Sequence, residues 1–479
     1  MLDFPGRTAL VCRELPWRGD LLAAFERLRD DPYPWLLESS LPDGRLGRFS
    51  FAGSDPYALL RARDTRIEIE CRRSVGGGLE TGRVAAVGDP LETLRSLLPP
   101  RPSAGDEVPF PFAGGAVGYL GYELAERIEP VSLHGRDDLG LPDLLLLWVD
   151  RLLAFDHARG RLCAIGLGFG ANDRAARDAA ECAAAALGRR LAAPAPRRAA
   201  SRPGAAAPLV LVDESGYVKA VERAKEEIEA GNVYQACLTH RIEQETRDDP
   251  WSLYRRLRRT NPAPFASFFE LPELAIVGSS PERFVRLSPD RGVESRPIKG
   301  TRPRGRHRSE DAWRRRELEH SGKDRAENVM IVDLVRNDLG RVCETGSVEV
   351  PELFAVEAYA SVFQMVSTVR GRLRADCDVV DLVKATFPPG SMTGAPKLAA
   401  MRILDGLEPV RRGVYSGAIG YFDARGGADL AVVIRTILVS GGCAYVHTGG
   451  GIVADSDPVA EWRESLDKAR PLLSALTEG

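Results

Sequence analysis

The stretch that most limits how this chain can fold is LAAPAPRRAASRPGAAAP, residues 191–208. Its prolines lack amide donors and its alanines follow no apolar period, so it reads as a linker or a long surface loop. It parts an N-terminal region, 1–190, from a C-terminal catalytic region, 209–479. A chain of 479 residues is too long for one ordinary core, since domains usually hold about 100–200 residues. Either two or three smaller domains form, or the two regions interleave in one globule.

Beyond the linker the punctuation is clear. Ser215 can cap a helix whose apolar residues Tyr217, Val221, Ala224 and Ile228 form one stripe, with Gly231 as its stop. Val233–Ile242, Phe265–Glu270, Ala275–Gly278 and Arg283–Leu287 read as strands. Helices are expected over Lys323–Leu339, from Pro396, and from Pro458, the last capped by Asp455–Asp457. Many short strands mixed with helices imply sheets covered by helices, an α+β chain.

Several function classes drop out. With 65 basic and 68 acidic residues the net charge is −3, too weak a field for general affinity to nucleic acid or an anionic membrane. The longest run of large apolar residues, Leu144–Val149, is far too short to span a bilayer. The first twenty residues carry no signal-like apolar run, so no membrane association and a cytoplasmic location are expected. None of the eight cysteines forms a CxxC pair and no two of the six histidines lie four apart, which removes structural zinc and a zincin site. Buried reduced thiols are expected instead.

Two motifs mislead. Gly166-Leu-Gly168-Phe-Gly170-Ala171 follows a strand and matches a dinucleotide fingerprint. The second parallel strand and its acid are missing, because the linker occupies their place. Gly390-Ser-Met-Thr-Gly394-Ala-Pro-Lys397 suggests a phosphate loop, but it lacks the GK[ST] ending and Pro396 removes an amide.

Four features point to chemistry. Lys299 in PIKGT, residues 297–301, sits between a proline turn and Gly300, approachable by a ligand, although residues 296–316 hold nine Lys or Arg that otherwise read as surface. Asp324 and Glu327 share one helix face, as do Glu461 and Glu464, with Lys468 a turn further on. Together they would make a pocket for a hard cation; apart, they are two solvated faces. Gly449, Gly450 and Gly451 follow a strand ending near Val446, as an anion-binding turn or a plain one. Arg435 lies in AVVIRTILV, where a buried arginine needs a carboxylate or a ligand.

FPPGSMTGAPK (387–397), RGVYSGAIGYF (412–422), PIKGT, AENVMIVDLVRNDLGRV (326–342) and TGGGIVADSDP (448–458) together resemble the chorismate-utilising enzymes. That family comprises anthranilate synthase component I, aminodeoxychorismate synthase component I, and isochorismate and salicylate synthases. The match is dense over 210–475, with LLESS (36–40), GRFSFAG (47–53) and FAGGAVGYLGYEL (112–124) fitting in the N-terminal region. The resemblance implies an anthranilate synthase component I-like fold, large antiparallel or mixed sheets packed as a sandwich under helices. It implies Mg²⁺ held by Glu327 and Glu464, supported by Asp324 and Glu461. Arg435, Tyr415 and the amides of Gly449–Gly451 would hold the enolpyruvyl carboxylate, with Lys468, Ser391, Thr393 and Thr301 lining the pocket. Glu282 of SSPERF is implied as the acid for the departing ring hydroxyl.

Two positions separate the family's reactions. Gln235 stands where water-adding members carry a lysine base, which argues against water as nucleophile. Lys299 stands where PIAGT of anthranilate synthase has alanine, so PIKGT implies the aminodeoxychorismate branch. The implied reaction is amination of chorismate to 4-amino-4-deoxychorismate, the 4-aminobenzoate precursor, through a covalent Lys299 intermediate; the alternative is formation of anthranilate. Gln364 stands where the family often has histidine, and Cys237 where it has asparagine. A glutamine amidotransferase subunit supplying ammonia and a downstream aminodeoxychorismate lyase are the implied partners, since no cysteine here has a glutaminase setting. Ser39 and Arg48 are implied as contacts of a tryptophan-type effector pocket. A nucleic-acid role for residues 296–316 is disfavoured, because Trp313 is the only aromatic there.

Overall fold

Apolar strands pair here into two large antiparallel sheets. The computed structural model describes residues 6–40, 46–75, 81–102, 107–193, 208–359 and 362–477, so most of the Ala/Pro segment, 194–207, lies outside the described residues. One twelve-stranded sheet runs Arg7–Glu14, Arg161–Gly170, Arg151–Asp156, Phe49–Gly53, Trp35–Glu38, Phe265–Glu270, Ala275–Ser280, Thr436–Ser440, Cys443–Ile452, Gln235–Glu245, Leu209–Val210. Gly394–Ala395 pairs with Gln235–Glu245 beside that path. The second sheet, also twelve-stranded, runs Ile298–Pro303, Val362–Arg372, Gly292–Arg296, Arg283–Leu287, Ala428–Val432, Ala418–Asp423, Gly115–Leu120, Leu144–Val149, Ala58–Arg63, Arg66–Cys71, Gly82–Val87. Glu349–Ala358 adds to Val362–Arg372.

Both sheets mix strands from the two sides of residues 194–207. Trp35 lies opposite Phe269 in the first, and Gly118 opposite Gly420 in the second. The sheets pack face to face over an aromatic core. Phe51 of the first meets Tyr421 of the second at 5.8 Å, and Phe112 stacks on Tyr421 at 4.4 Å. Burial of such rings supplies the main driving force for holding the layers together. The first sheet's other face is covered by the helices Asp173–Ala192, Pro250–Thr260 and Pro458–Thr477, through a second core that includes Leu187, Trp251, Phe268 and Leu472. Among the described residues no helix is long and apolar enough to cross a membrane. No disulfide forms among them, and Cys182 is exposed rather than buried.

Local signals act largely as their chemistry dictates, with one shift. Asp213, not Ser215, caps the Glu214–Glu229 helix by accepting from the Gly216 amide at 2.8 Å. Carboxylate and hydroxyl are both good caps, and Asp213, with its extended backbone, is placed to reach the free amide three residues on.

Two neighbouring strand pairs pass from one sheet to the other side by side. Ala275–Ser280 leads through Pro281 and Glu282 into Arg283–Leu287, while Ala428–Val432 leads through Arg435 into Thr436–Ser440. Cross-links hold this corner: Val432 N donates to Glu282 O at 3.0 Å, Ser279 N to Arg435 O at 3.0 Å, and Ser280 Oγ to Val432 O at 2.6 Å. Arg435 takes a left-handed backbone, φ 52°, to make the turn.

The glycine-rich 166–170 segment has a packing role. Arg161–Gly170 is antiparallel to both neighbours, which excludes a parallel dinucleotide unit at this strand. A Cβ on Gly166 or Gly168 would lie 2.1 or 2.0 Å from carbonyl oxygens of Ala180 and Ala176 on the Asp173–Ala192 helix. The glycines let that alanine-rich helix press onto the strand. Gly168→Val should therefore lower stability by about 1–3 kcal/mol or more, read as a shifted denaturant midpoint. An unchanged midpoint would show that the helix can move aside freely.

Candidate active site

The corner brings the chemical residues together. Glu282 is buried, accepts hydrogen bonds from Ser391 and the Ile298 amide, and sits under the influence of the Lys299 charge. Burial pushes its carboxyl up to about 7, against those three opposing effects. Lys299 lies on Ile298–Pro303, and its Nζ donates to Ser391 O at 3.4 Å. Ser391 thus touches both residues, holding the loop Gly390–Met392 against them. A cavity of about 20 Å³ beside Glu282 and Ser391, lined also by Ile331, Val335 and Thr386, has room for one water-sized molecule.

The three glycines are not a turn. They lie inside the strand Cys443–Ile452, with Gly449 opposite Thr239 and Gly451 opposite Cys237. The reading of a strand ending near Val446 is corrected here, because the partner strand Gln235–Glu245 keeps the ladder going. Their missing side chains are what matters. A Cβ on Gly451 would lie 2.1 Å from Gln235 Nε2 and 3.3 Å from Lys299 Nζ. One on Gly450 would lie 3.0 Å from Glu461 Oε2 and 3.4 Å from Lys468 Nζ. The Gly449 carbonyl, rather than an amide, faces Lys468 Nζ at 2.9 Å. Gln235 is fully buried, and both its amide atoms are without a partner among the described residues, directed at this floor.

Arg435 also differs from its sequence reading. It stands between strands, not inside one, and its Nη1 donates to the Lys468 carbonyl at 2.6 Å instead of pairing with a carboxylate. Burial lowers its pKa, which Tyr415 and Glu464 oppose. A bound carboxylate would restore that balance. Tyr415 is buried, stacked on His447 with centroids 5.1 Å apart, and its hydroxyl pKa is raised by burial.

The four acids come from two helices, Gly322–Gly340 and Pro458–Thr477, and each has a basic neighbour. Asp324 accepts from Arg302 at 2.8 Å. Glu464 pairs with Lys468 at 2.7 Å, which with Lys323 and Lys299 lowers its pKa. Lys323 Nζ lies 3.9 Å from Glu327 Oε1 and 3.6 Å from Glu461 Oε1. Glu461 is further fixed by Ser456 Oγ at 2.7 Å. Burial raises the Glu327 carboxyl, opposed chiefly by Lys299. Among the described residues no three His, Cys, Asp or Glu side chains form a ready metal cage. The donor chemistry still fits Mg²⁺: the ligating atoms that the four acids offer are all carboxylate oxygens, which a hard cation takes.

Other expected residues lie further out. Thr301 is exposed, opposite Gln364 in the adjacent strand. Gln364 is buried, its Oε1 without a partner among the described residues. Thr393 is fully buried, and its carbonyl accepts from Cys237 N at 2.8 Å. Ser39 is buried and its amide donates to Ser50 Oγ at 2.9 Å, while Arg48 pairs with Asp156 at 3.0 Å. The basic run 296–316 is largely neutralised locally, Arg302 by Glu317, Arg304 by Asp311, and Arg315 by Glu319.

Sequence reasoning missed Arg412. It is buried, joins Glu408, and donates to Met392 O at 2.7 Å and Cys237 O at 2.8 Å. It therefore ties the Ser391 loop to the Gln235 strand. Its position at the head of RGVYSG was the available signal.

Comparison with known proteins gives these features a class. Residues 41–474 match the chorismate binding enzyme family, and the chain belongs to it. An aminodeoxychorismate synthase of Streptomyces griseus is 43% identical over 98% of this chain, which spans 65% of that protein's length. Anthranilate synthase component 1 of Streptomyces coelicolor is 41% identical over 95% of this chain and 86% of its own. The crystal structure of anthranilate synthase component I from Streptococcus pneumoniae superposes with a TM-score of 0.77 at 31% identity, covering 89% of this chain and 92% of that one. The fold is thus the anthranilate synthase component I-like α+β sandwich.

Arg412→Ala should cost about 3–5 kcal/mol, because Glu408 would stay buried without its cation. Denaturant unfolding measures this; a loss under 1 kcal/mol would mean the loop is held by other contacts.

Proposed function

We propose that this chain aminates chorismate with ammonia to give 4-amino-4-deoxychorismate. The observation that carries the reading is Lys299 beside Glu282, bridged by Ser391, in a site without a lysine at Gln235. Lys299 first gives its ammonium proton to solvent; the free amine then adds to ring carbon 2, the ring double bonds shift, and the carbon 4–oxygen bond breaks as Glu282 delivers its proton. The hydroxyl leaves as water, for which the neighbouring cavity has room. Ammonia then bonds to carbon 4, the double bonds shift back, and the bond to Lys299 breaks. The surplus proton on the new amine returns to Glu282, so the enzyme is restored. A carboxyl near 7 can give and take a proton at neutral pH. Gln235 orients without titrating, and Arg435 with Tyr415 grips the enolpyruvyl carboxylate.

Mg²⁺ held by Glu327 and Glu464, with Glu461 and Asp324 beside them, would supply positive charge for the ring carboxylate. Ammonia comes from a glutamine amidotransferase partner, and an aminodeoxychorismate lyase consumes the product in the cytoplasm. Lysine catalysis distinguishes this reading from anthranilate formation.

Purified chain with chorismate, Mg²⁺ and ammonium salts should yield 4-amino-4-deoxychorismate by mass spectrometry, and glutamine should not replace ammonium. Without ammonia, intact mass should reveal an adduct on the PIKGT peptide that Lys299→Ala lacks. Loss of this covalent route should cost several orders of magnitude in amination rate. Anthranilate as the main product would overturn the reading, and equal rates for both proteins would reduce Lys299 to a binding residue.

The acid role of Glu282 has its own pH signature. Expulsion of water needs the protonated carboxyl, so adduct formation, normalised to the fraction of Lys299 present as free amine, should fall as pH rises through about 7. Glu282→Gln should form adduct at least about a hundredfold more slowly and lose that limb. A limb that survives in the glutamine variant would assign the proton to another group.

A further inference from the structure

Lys323 is the second residue of the Gly322–Gly340 helix, directly after the Ser321 cap. A cation in a first helical turn opposes the helix dipole, so this position needs an offsetting interaction. The acid cluster provides one. Lys323 Nζ lies between Glu461 and Glu327, at 3.6 and 3.9 Å, although its side chain remains half exposed. Those two carboxylates are far less accessible, 5% and 13% exposed. Against the cost of partial burial, Glu461, Glu327, Glu464 and Asp324 all raise the Lys323 pKa. Asp324 and Glu464 have their own basic partners in Arg302 and Lys468, and Lys299 acts on Glu327 from further off, so among the described residues Lys323 is the ammonium that lies within 4 Å of both Glu327 and Glu461.

We infer that Lys323 is a tethered counter-ion that holds the acid cluster together without metal and that a divalent cation must displace. The inference rests on the Mg²⁺ reading above. Two buried carboxylates facing each other repel, and an ammonium between them relieves that repulsion. A divalent ion at the same oxygens cannot share the space with it, so binding is an exchange: the metal enters as the lysine swings to solvent. Half exposure makes the swing feasible without moving the helix. Affinity for the ion is therefore weakened in the substrate-free protein, which limits metal loading until substrate contributes oxygens.

The test titrates the full chain with Mn²⁺ alone, without chorismate, counting free ion by its electron paramagnetic resonance signal. Lys323→Met should bind Mn²⁺ about fivefold or more tightly than the natural chain, whereas Lys323→Arg should stay within about twofold, on the scale of a partly screened ion pair. Adding Glu327→Gln to Lys323→Met should remove the gain, placing the ion in this cluster. Equal or weaker binding by Lys323→Met would overturn the counter-ion role while leaving the metal reading intact. Absence of binding in every variant, even with chorismate added, would overturn the metal reading itself and this inference with it.

Discussion

The corner at which two adjacent strand pairs leave one sheet for the other is the constraint on which the rest of the structure depends. Main-chain bonds from Val432 to Glu282 and from Ser279 to Arg435 lock the pairs together just where neither sheet's regular ladder continues. A residue placed at such a break points neither into the sandwich core nor to solvent. Glu282 and Arg435 occupy these two places, which explains how an acid comes to be buried and a cation half-buried, yet both available. The sandwich behind them, with Phe112 stacked on Tyr421, makes the corner rigid. Pre-set donors and acids need no reorganisation when charge develops on a ligand.

Electrostatic crowding organises the opposite wall. Four carboxylates from two helices would repel each other strongly in a partly buried setting. Here Arg302, Lys323 and Lys468 divide them, and Lys299 acts on Glu282, Glu327 and Glu464 together. Glycines at 449–451 allow Gln235, Lys299, Glu461 and Lys468 to approach one strand from its two sides. A single added methyl group would intrude at either position 450 or 451. The site is thus built from side chains that are present and from side chains that are missing.

Reading from residues alone worked best where the physics is local. Phe265–Glu270 and Arg283–Leu287 are strands as β-forming runs bounded by turn residues require. The two acid-bearing helices begin where caps and spacing place them. It failed where a partner strand decides. Gly449–Gly451 look like a turn in isolation, but pairing with Leu238 and its neighbours draws them into a ten-residue strand. Arg435 looks like a strand residue until the change of sheet is seen. Asp324 looks like a partner of Glu327 alone until Arg302, from a segment that reads as surface, is found against it.

What the sequence by itself determined is the inventory: which side chains can titrate, donate or attack, the helices and strands that carry them, and through PIKGT and the long matching motifs the family to which the chain belongs. Its branching between Lys299 and alanine, or Gln235 and lysine, is a statement about chemistry that needs no coordinates. Only the tertiary structure decided which of those groups meet. Pairing of strands more than a hundred residues apart sets those distances, as with Trp35 opposite Phe269 and Gly118 opposite Gly420. Such non-local contacts leave no periodic trace in a local window, because each depends on the burial of a surface that another part of the chain provides.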